Sequence, residues 1–131
     1  MSEENVNRFL ETTEAFNRRD VKRWLQNFHP DAVLELQNAA LEGEYSGHVG
    51  LRRFFADFAE SWEMAELHCP DVRDLGDRVL GLGTMRTIGR GSRIEQEGPV
   101  AFVASYRDGL CTHIKDYGEW DQALAAVGVS D

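Results

Sequence analysis

Near its C-terminal end the chain reads "THIKDYGEWD", Thr112 to Asp121, and a carboxylate, Asp116, falls in the middle of what reads as a strand. Alternation puts Thr112, Ile114, Asp116 and Gly118 on one face and His113, Lys115 and Tyr117 on the other. If the Ile114 face looks into a core, Asp116 loses water there. A desolvated carboxyl has a raised pKa and suits general acid or base work. A carboxylate in that place can equally be a strut, paired with Arg86 or held by a backbone donor, and the residues alone leave both roles open.

Other chemistries find less support. The four histidines, His29, His48, His68 and His113, are scattered, with no second ligand at i+2 to i+4, so no metal is expected. "GRGSR" (Gly89–Arg93) joins two strands and opens no helix, which makes it a hairpin loop and not a phosphate cradle. Cys69 and Cys111 form no C-x-x-C, and a reducing cytoplasm is the simplest home for them. With 14 Lys and Arg against 23 Asp and Glu, the net charge of -9 argues against a nucleic-acid partner. The acidic N-terminus does not read as a signal peptide, and no apolar run is long enough to cross a bilayer.

The elements that must position Asp116 follow from periodicity. The 131 residues are expected to form one domain, 1–131. Val6, Phe9, Leu10, Thr13 and Phe16 recur at helical spacing. Asp20 caps a second helix carrying Val21, Trp24, Leu25 and Phe28, which Pro30 stops. A first strand is expected over Ala32–Asn38, a loop over "LEGEYSG", and a third helix from about His48 with Leu51, Phe54, Phe55, Phe58 and Trp62 on one face. Four long strands follow, roughly 64–75, 78–89, 94–106 and 110–119, then a short helix ended by Gly128. This is an α+β chain with helices gathered on one face of a curved antiparallel sheet. In the third of these strands Val100, Phe102, Ala104 and Tyr106 oppose Ala101, Val103 and Ser105, so both faces are apolar and the second one needs a cover.

The stretches "NRRDVKRWLQNFHPDAVLEL", "YSGHVGLRRFFADF", "DVRDLGDRVLGLGTMRTIGRGS" and "YRDGLCTHIKDYGEWDQALAAVG" together cover nearly the whole chain. In this order they resemble the nuclear transport factor 2-like superfamily, and most of all its SnoaL-like, polyketide-cyclase-related branch. The resemblance implies a cystatin-like conical half-barrel, a strongly curved sheet wrapped around three helices of the N-terminal half. It also implies a deep apolar pocket for a small apolar molecule, and a homodimer through the outer sheet face, including Ala101, Val103, His113 and Tyr117. It makes the Ile114–Asp116 face the pocket face and, by alternation, turns Leu80, Leu82, Thr84, Arg86 and Ile88 inward.

Residue by residue, the chemistries of the superfamily are largely missing. The ketosteroid isomerases would need a base at Leu36, a tyrosine at Thr12 and an acid at Phe102, and none is present. The paired histidines of the scytalone dehydratases are absent, since His113 has the wrong parity and His68 stands alone. The limonene epoxide hydrolases use an acid–arginine–acid relay. Lys115-Asp116-Tyr117 matches the place of its last acid, but Arg86 is displaced from the arginine's place and the other acid is missing. Two functions from different classes remain. One is a cofactor-free isomerase, cyclase or hydrolase acting on an apolar or polycyclic substrate. Asp116 would move the proton and Arg86 or Tyr106 would polarise oxygen, with Thr84, Leu36, Phe55, Phe102 and Trp24 lining the pocket. The other is a binding or accessory dimer that uses the same pocket without chemistry.

Overall fold

A computed structural model describes residues 2–37 and 43–128. Its elements run α1 (Ser2–Asn17), α2 (Val21–Leu25), β1 (Phe28–Leu36), β2 (Glu44–Ser46), α3 (Gly47–Ser61), β3 (Trp62–Asp74), β4 (Arg78–Gly89), β5 (Glu95–Arg107), β6 (Leu110–Tyr117) and α4 (Trp120–Ala126). One six-stranded sheet has the order β2-β1-β6-β5-β4-β3. Every neighbouring pair is antiparallel except β1 and β6, which run parallel. Register shifts place extra residues in β1, β3 and β6, bulges that bend the strands and curve the sheet around the helices.

The inner face carries the main core. Val79, Val100, Phe102, Ala104, Tyr106 and Ile114 meet Phe9 and Ala15 of α1, Trp24 of α2 and Leu51 and Phe54 of α3. Two glycines of β4 make the fit close. A Cβ at Gly81 would stand 2.5 Å from Phe9 Cζ, and one at Gly83 would run into the His68 carbonyl oxygen at the β3 bulge. At the outer edge of β3, Asn17 at the end of α1 supplies what another strand would. Its amide nitrogen donates to Leu67 O at 2.8 Å, and its oxygen accepts from Leu67 N at 2.8 Å.

The outer face has a cover of its own. Leu80, Leu82, Ala101 and Val103 pack under Ala123 and Leu124 of α4, and the Trp120 indole donates to Gly83 O at 2.9 Å. The apolar residues from which a second subunit was expected, Ala101 and Val103, are therefore buried within the chain itself. His113 and Tyr117 remain partly exposed beside them.

Several boundaries differ from expectation. The second helix ends at Leu25, and β1 already starts at Phe28, so Pro30 lies inside the strand and does not stop a helix. It falls where the β1–β6 register shifts between Phe28 and Val33, a stretch without regular pairing in which a missing N–H is tolerated. Asn38, the expected end of the first strand, lies outside the described residues, as do Leu41 and Glu42 of the expected loop, from which β2 emerges at Glu44. In α1 the buried stripe is Asn5, Phe9, Thr12 and Ala15, while Leu10 points outward.

Candidate functional site

Between the inner sheet face and the three N-terminal helices lies a chamber of about 130 Å³. Its walls are mostly aromatic: Phe9 and Phe16 from α1, Trp24 from α2, Phe54 and Phe58 from α3, and Phe102 from β5. The rings brace one another. Trp24 lies 4.6 Å from Phe28 and 4.8 Å from Phe55, and Phe16 meets Phe58 edge to face at 5.4 Å between centroids. A wider groove of about 750 Å³ adjoins the chamber and is lined by Gln37, Thr87, Gln96, Glu97 and Gly118, among others. Phe58, Trp62, Met85 and Asp116 belong to both cavities, so Asp116 stands at the junction of an apolar interior and a polar mouth.

The backbone of Asp116 is fixed from both sides, in register with Leu36 of β1 and Phe102 of β5. Among the described residues, no hydrogen bond or ion pair reaches its carboxyl group. Burial among apolar walls pushes its pKa up to about 7. Near neutral pH it is thus divided between acid and base forms, the condition under which one group both gives and takes a proton efficiently.

The polar groups around it have defined orientations. The hydroxyls of Thr12, Thr13 and Ser61 donate to Arg8 O, Leu10 O and Asp57 O at 2.7, 2.8 and 3.3 Å, which leaves their lone pairs for the chamber. In the groove, Gln37 Oε1 accepts from Gly118 N at 2.8 Å, which turns the amide nitrogen away as a donor. Among the described residues, no cluster of three or more His, Cys, Asp or Glu could hold a metal.

The expected site residues separate into two groups. Asp116, Leu36, Phe102 and Trp24 line the chamber, and so does Thr12. Arg86 does not face the chamber. It lies on the outer side of β4, its Nε 2.5 Å from Glu95 Oε2 and its Nη1 3.7 Å from Glu66 Oε1, and these acids raise its pKa above the ordinary value. Thr84 shares that outward parity and lines neither cavity. The inward residues of β4 are Val79, Gly81, Gly83, Met85 and Thr87. Two of these are glycines with no side chain to show which face they take. Leu80 and Leu82 look like core residues, and they are, but under α4. Tyr106 is buried away from the chamber, and burial raises its pKa. Phe55 packs behind Trp24 and borders an outer groove with Phe16 and Phe58. Sequence reasoning missed Met85, Gln37 and Glu97. In the structure Gly81 lies under Phe9 of α1 and Gly83 against the backbone of β3, so the sequence carried no side-chain signal for the face that Met85 takes.

A model of the SnoaL-like domain matches residues 6–114, and the chain belongs to that family. The match stops just short of Asp116. None of the curated proteins is similar enough in sequence to match. Among solved structures, the chain is similar to TerC co-crystallised with polyporic acid, with a TM-score of 0.82 and 23% identity over 88% of this chain and 92% of that one. It is similar to a nuclear transport factor 2-like protein of unknown function from Burkholderia pseudomallei, with a TM-score of 0.83 and 20% identity over 96% and 98%. It is also similar to a candidate polyketide cyclase from Xanthomonas campestris, with a TM-score of 0.78 and 19% identity over 97% and 98%. At these identities the shared property is the fold, an α+β architecture of the nuclear transport factor 2-like, cystatin-like type.

Proposed function

We propose that the chain holds a small, largely apolar molecule in the aromatic chamber and that Asp116 exchanges a proton with it. That is the chemistry of a cofactor-free isomerase, cyclase or hydrolase. The observation that carries the reading is the unpartnered Asp116 carboxyl at the chamber mouth. A structural strut would have a donor, whereas Asp116 is a half-buried carboxyl without a partner among the described residues, which is what acid–base work needs. The fold supports it at family level, since one structural neighbour was co-crystallised with polyporic acid and another is a candidate polyketide cyclase.

A second reading, binding without turnover, is favoured by one observation. The three chamber hydroxyls already donate to helix carbonyls, so the chamber has no second donor from them for a developing oxyanion. For an expected homodimer, the outer face near β6 offers half-buried His113, while Tyr117 packs at the margin of the cluster under α4. Both cysteines are free, and burial lifts each thiol to about 12, which suits a reducing cytoplasm.

The test is exchange of solvent deuterium into the α positions of a ring ketone such as 2-indanone, followed by NMR. Wild type is expected to accelerate exchange, and Asp116→Asn is expected not to. Binding without exchange, seen as quenching of Trp24 and Trp62 fluorescence, would leave the second reading. No binding of any ring compound would remove both.

A further inference from the structure

Accepting that the chamber is a ligand site, its charges restrict what the ligand can be. Among the described residues, no Lys, Arg or His lines the chamber or the groove. The acidic and basic groups that do are Asp116 and Glu97 alone. Leu36 and Phe102 flank Asp116 on the neighbouring strands, while α1 presents Thr12 and Thr13 to the same chamber and α3 presents Phe58 and Ser61. Cys69, Tyr106 and Cys111, the other titratable groups of this core, are held protonated by burial. The chain as a whole carries a net charge of -9. Among the described residues no cation lines either cavity to meet an anion, and the long-range field draws cations.

The walls agree with the charges. Eight of the lining residues are aromatic, and an aromatic face is the negative side of the ring quadrupole. The chamber hydroxyls present lone pairs, the indoles of Trp24 and Trp62 are the side-chain N–H donors among the chamber's described lining residues, and Gln37 lines the groove alone. A group with several N–H donors and a positive charge complements the hydroxyl lone pairs, the ring faces and the Asp116 carboxylate. Size adds a limit. The volume of about 130 Å³ is close to the roughly 150 Å³ of an apolar cavity that accepts benzene.

We infer that the chamber is built for a ring-sized apolar molecule carrying a protonated amine, with the ring among the aromatic faces and the ammonium against Asp116. The junction is the favourable depth for that charge. The ring leaves water completely, while the ion pair forms at the junction with the groove, where the fold has already desolvated Asp116 and the ammonium supplies the partner it lacks among the described residues. The linkage has a definite sign. An ammonium favours the ionised carboxylate, so binding expels the Asp116 proton and tightens as pH rises through about 7. A neutral oxygen ligand accepting a hydrogen bond from the protonated acid would weaken over the same range.

Calorimetric titration of the intact chain with 2-phenylethylamine, 2-phenylethanol and phenylacetate, at about pH 5.5 and about pH 8, tests this. At the higher pH the amine is expected to bind at least about tenfold more tightly than the alcohol, and phenylacetate more weakly than either. The amine's advantage should shrink about tenfold at the lower pH, vanish in Asp116→Asn and survive in Glu97→Gln. The pH series on the wild type stands without any variant. Equal or tighter binding of the alcohol or phenylacetate at about pH 8 would overturn the charge inference and leave the chamber a ligand site. An amine preference that persists in Asp116→Asn would overturn the role of Asp116. If none of the three binds, the ligand-site reading fails and the inference fails with it.

Discussion

The two faces of the sheet use the same residue types in opposite ways. On the outer face, acids and bases come in sets: Arg86 with Glu95 and Glu66, and Glu35 with His113 at 3.1 Å and Lys115 at 3.4 Å. Each set is partly in water, and the partners hold the Glu35 carboxyl below the usual range, His113 most of all. On the inner face one carboxyl, Asp116, has walls of carbon and no partner, and its pKa moves the other way. Neighbouring strand positions thus carry groups of contrasting purpose. Lys115 and Asp116 are adjacent in sequence, and the strand pleat alone assigns one to a solvated salt bridge and the other to the chamber.

The strongest way to break this arrangement is to push the inner face apart. Gly83→Val places a side chain against the backbone of the β3 bulge, and a clash with main chain does not relax by a rotamer change. A loss of more than about 3 kcal/mol in urea unfolding is expected. A smaller loss would show that the bulge yields.

Asp116→Asn acts in the opposite direction. The folded pKa of about 7 exceeds the ordinary 3.8, so the wild-type fold is favoured most below about pH 4 and loses stability as pH rises towards 7. Asparagine has no charge to bury. The variant should match the wild type near pH 4 and exceed it by about 4 kcal/mol near pH 8, as thermal or urea melts at both pH values would read. A variant less stable than the wild type at pH 8 would mean that Asp116 is a paired strut after all.

The smallest effect sharpens the comparison from the other face. Arg86→Ala removes an exposed guanidinium whose partners remain in water. Its melting temperature and its ligand affinity should both match the wild type. A changed affinity would bring Arg86 back into the site.

How much of this was legible depended on whether side chains announced their face. In β6 the period of two put Ile114 and Asp116 on one face, and the family resemblance, not the period, made that face the inner one, as the chamber lining bears out. The register of β6 against β5 was harder. A strict count from the Asp108-Gly109 turn, with Arg107 opposite Leu110, sets Asp116 opposite Ala101, and the extra residue Thr112 of β6 moves it to Phe102. In β4 the inward positions at Gly81 and Gly83 are blank, and the parity of Arg86 and Thr84 was inverted as a result. Tertiary contacts decided the remainder. No local signal in "QALAAV" says that Leu124 crosses to the far side of the sheet, and the fate of the outer face follows from that crossing.

The clamp of Asn17 on Leu67 has a consequence for association between molecules. A sheet with two edges can be extended at either, and an edge with regularly spaced free N–H and C=O groups is a template for a strand from another chain. On β3 the template is interrupted at Leu67, where one side chain already occupies both the donor and the acceptor. An incoming strand would have to displace the end of α1 to keep its register past that point. The fold thus carries, in a single amide, a local barrier to the edge-to-edge growth by which sheets become fibrils.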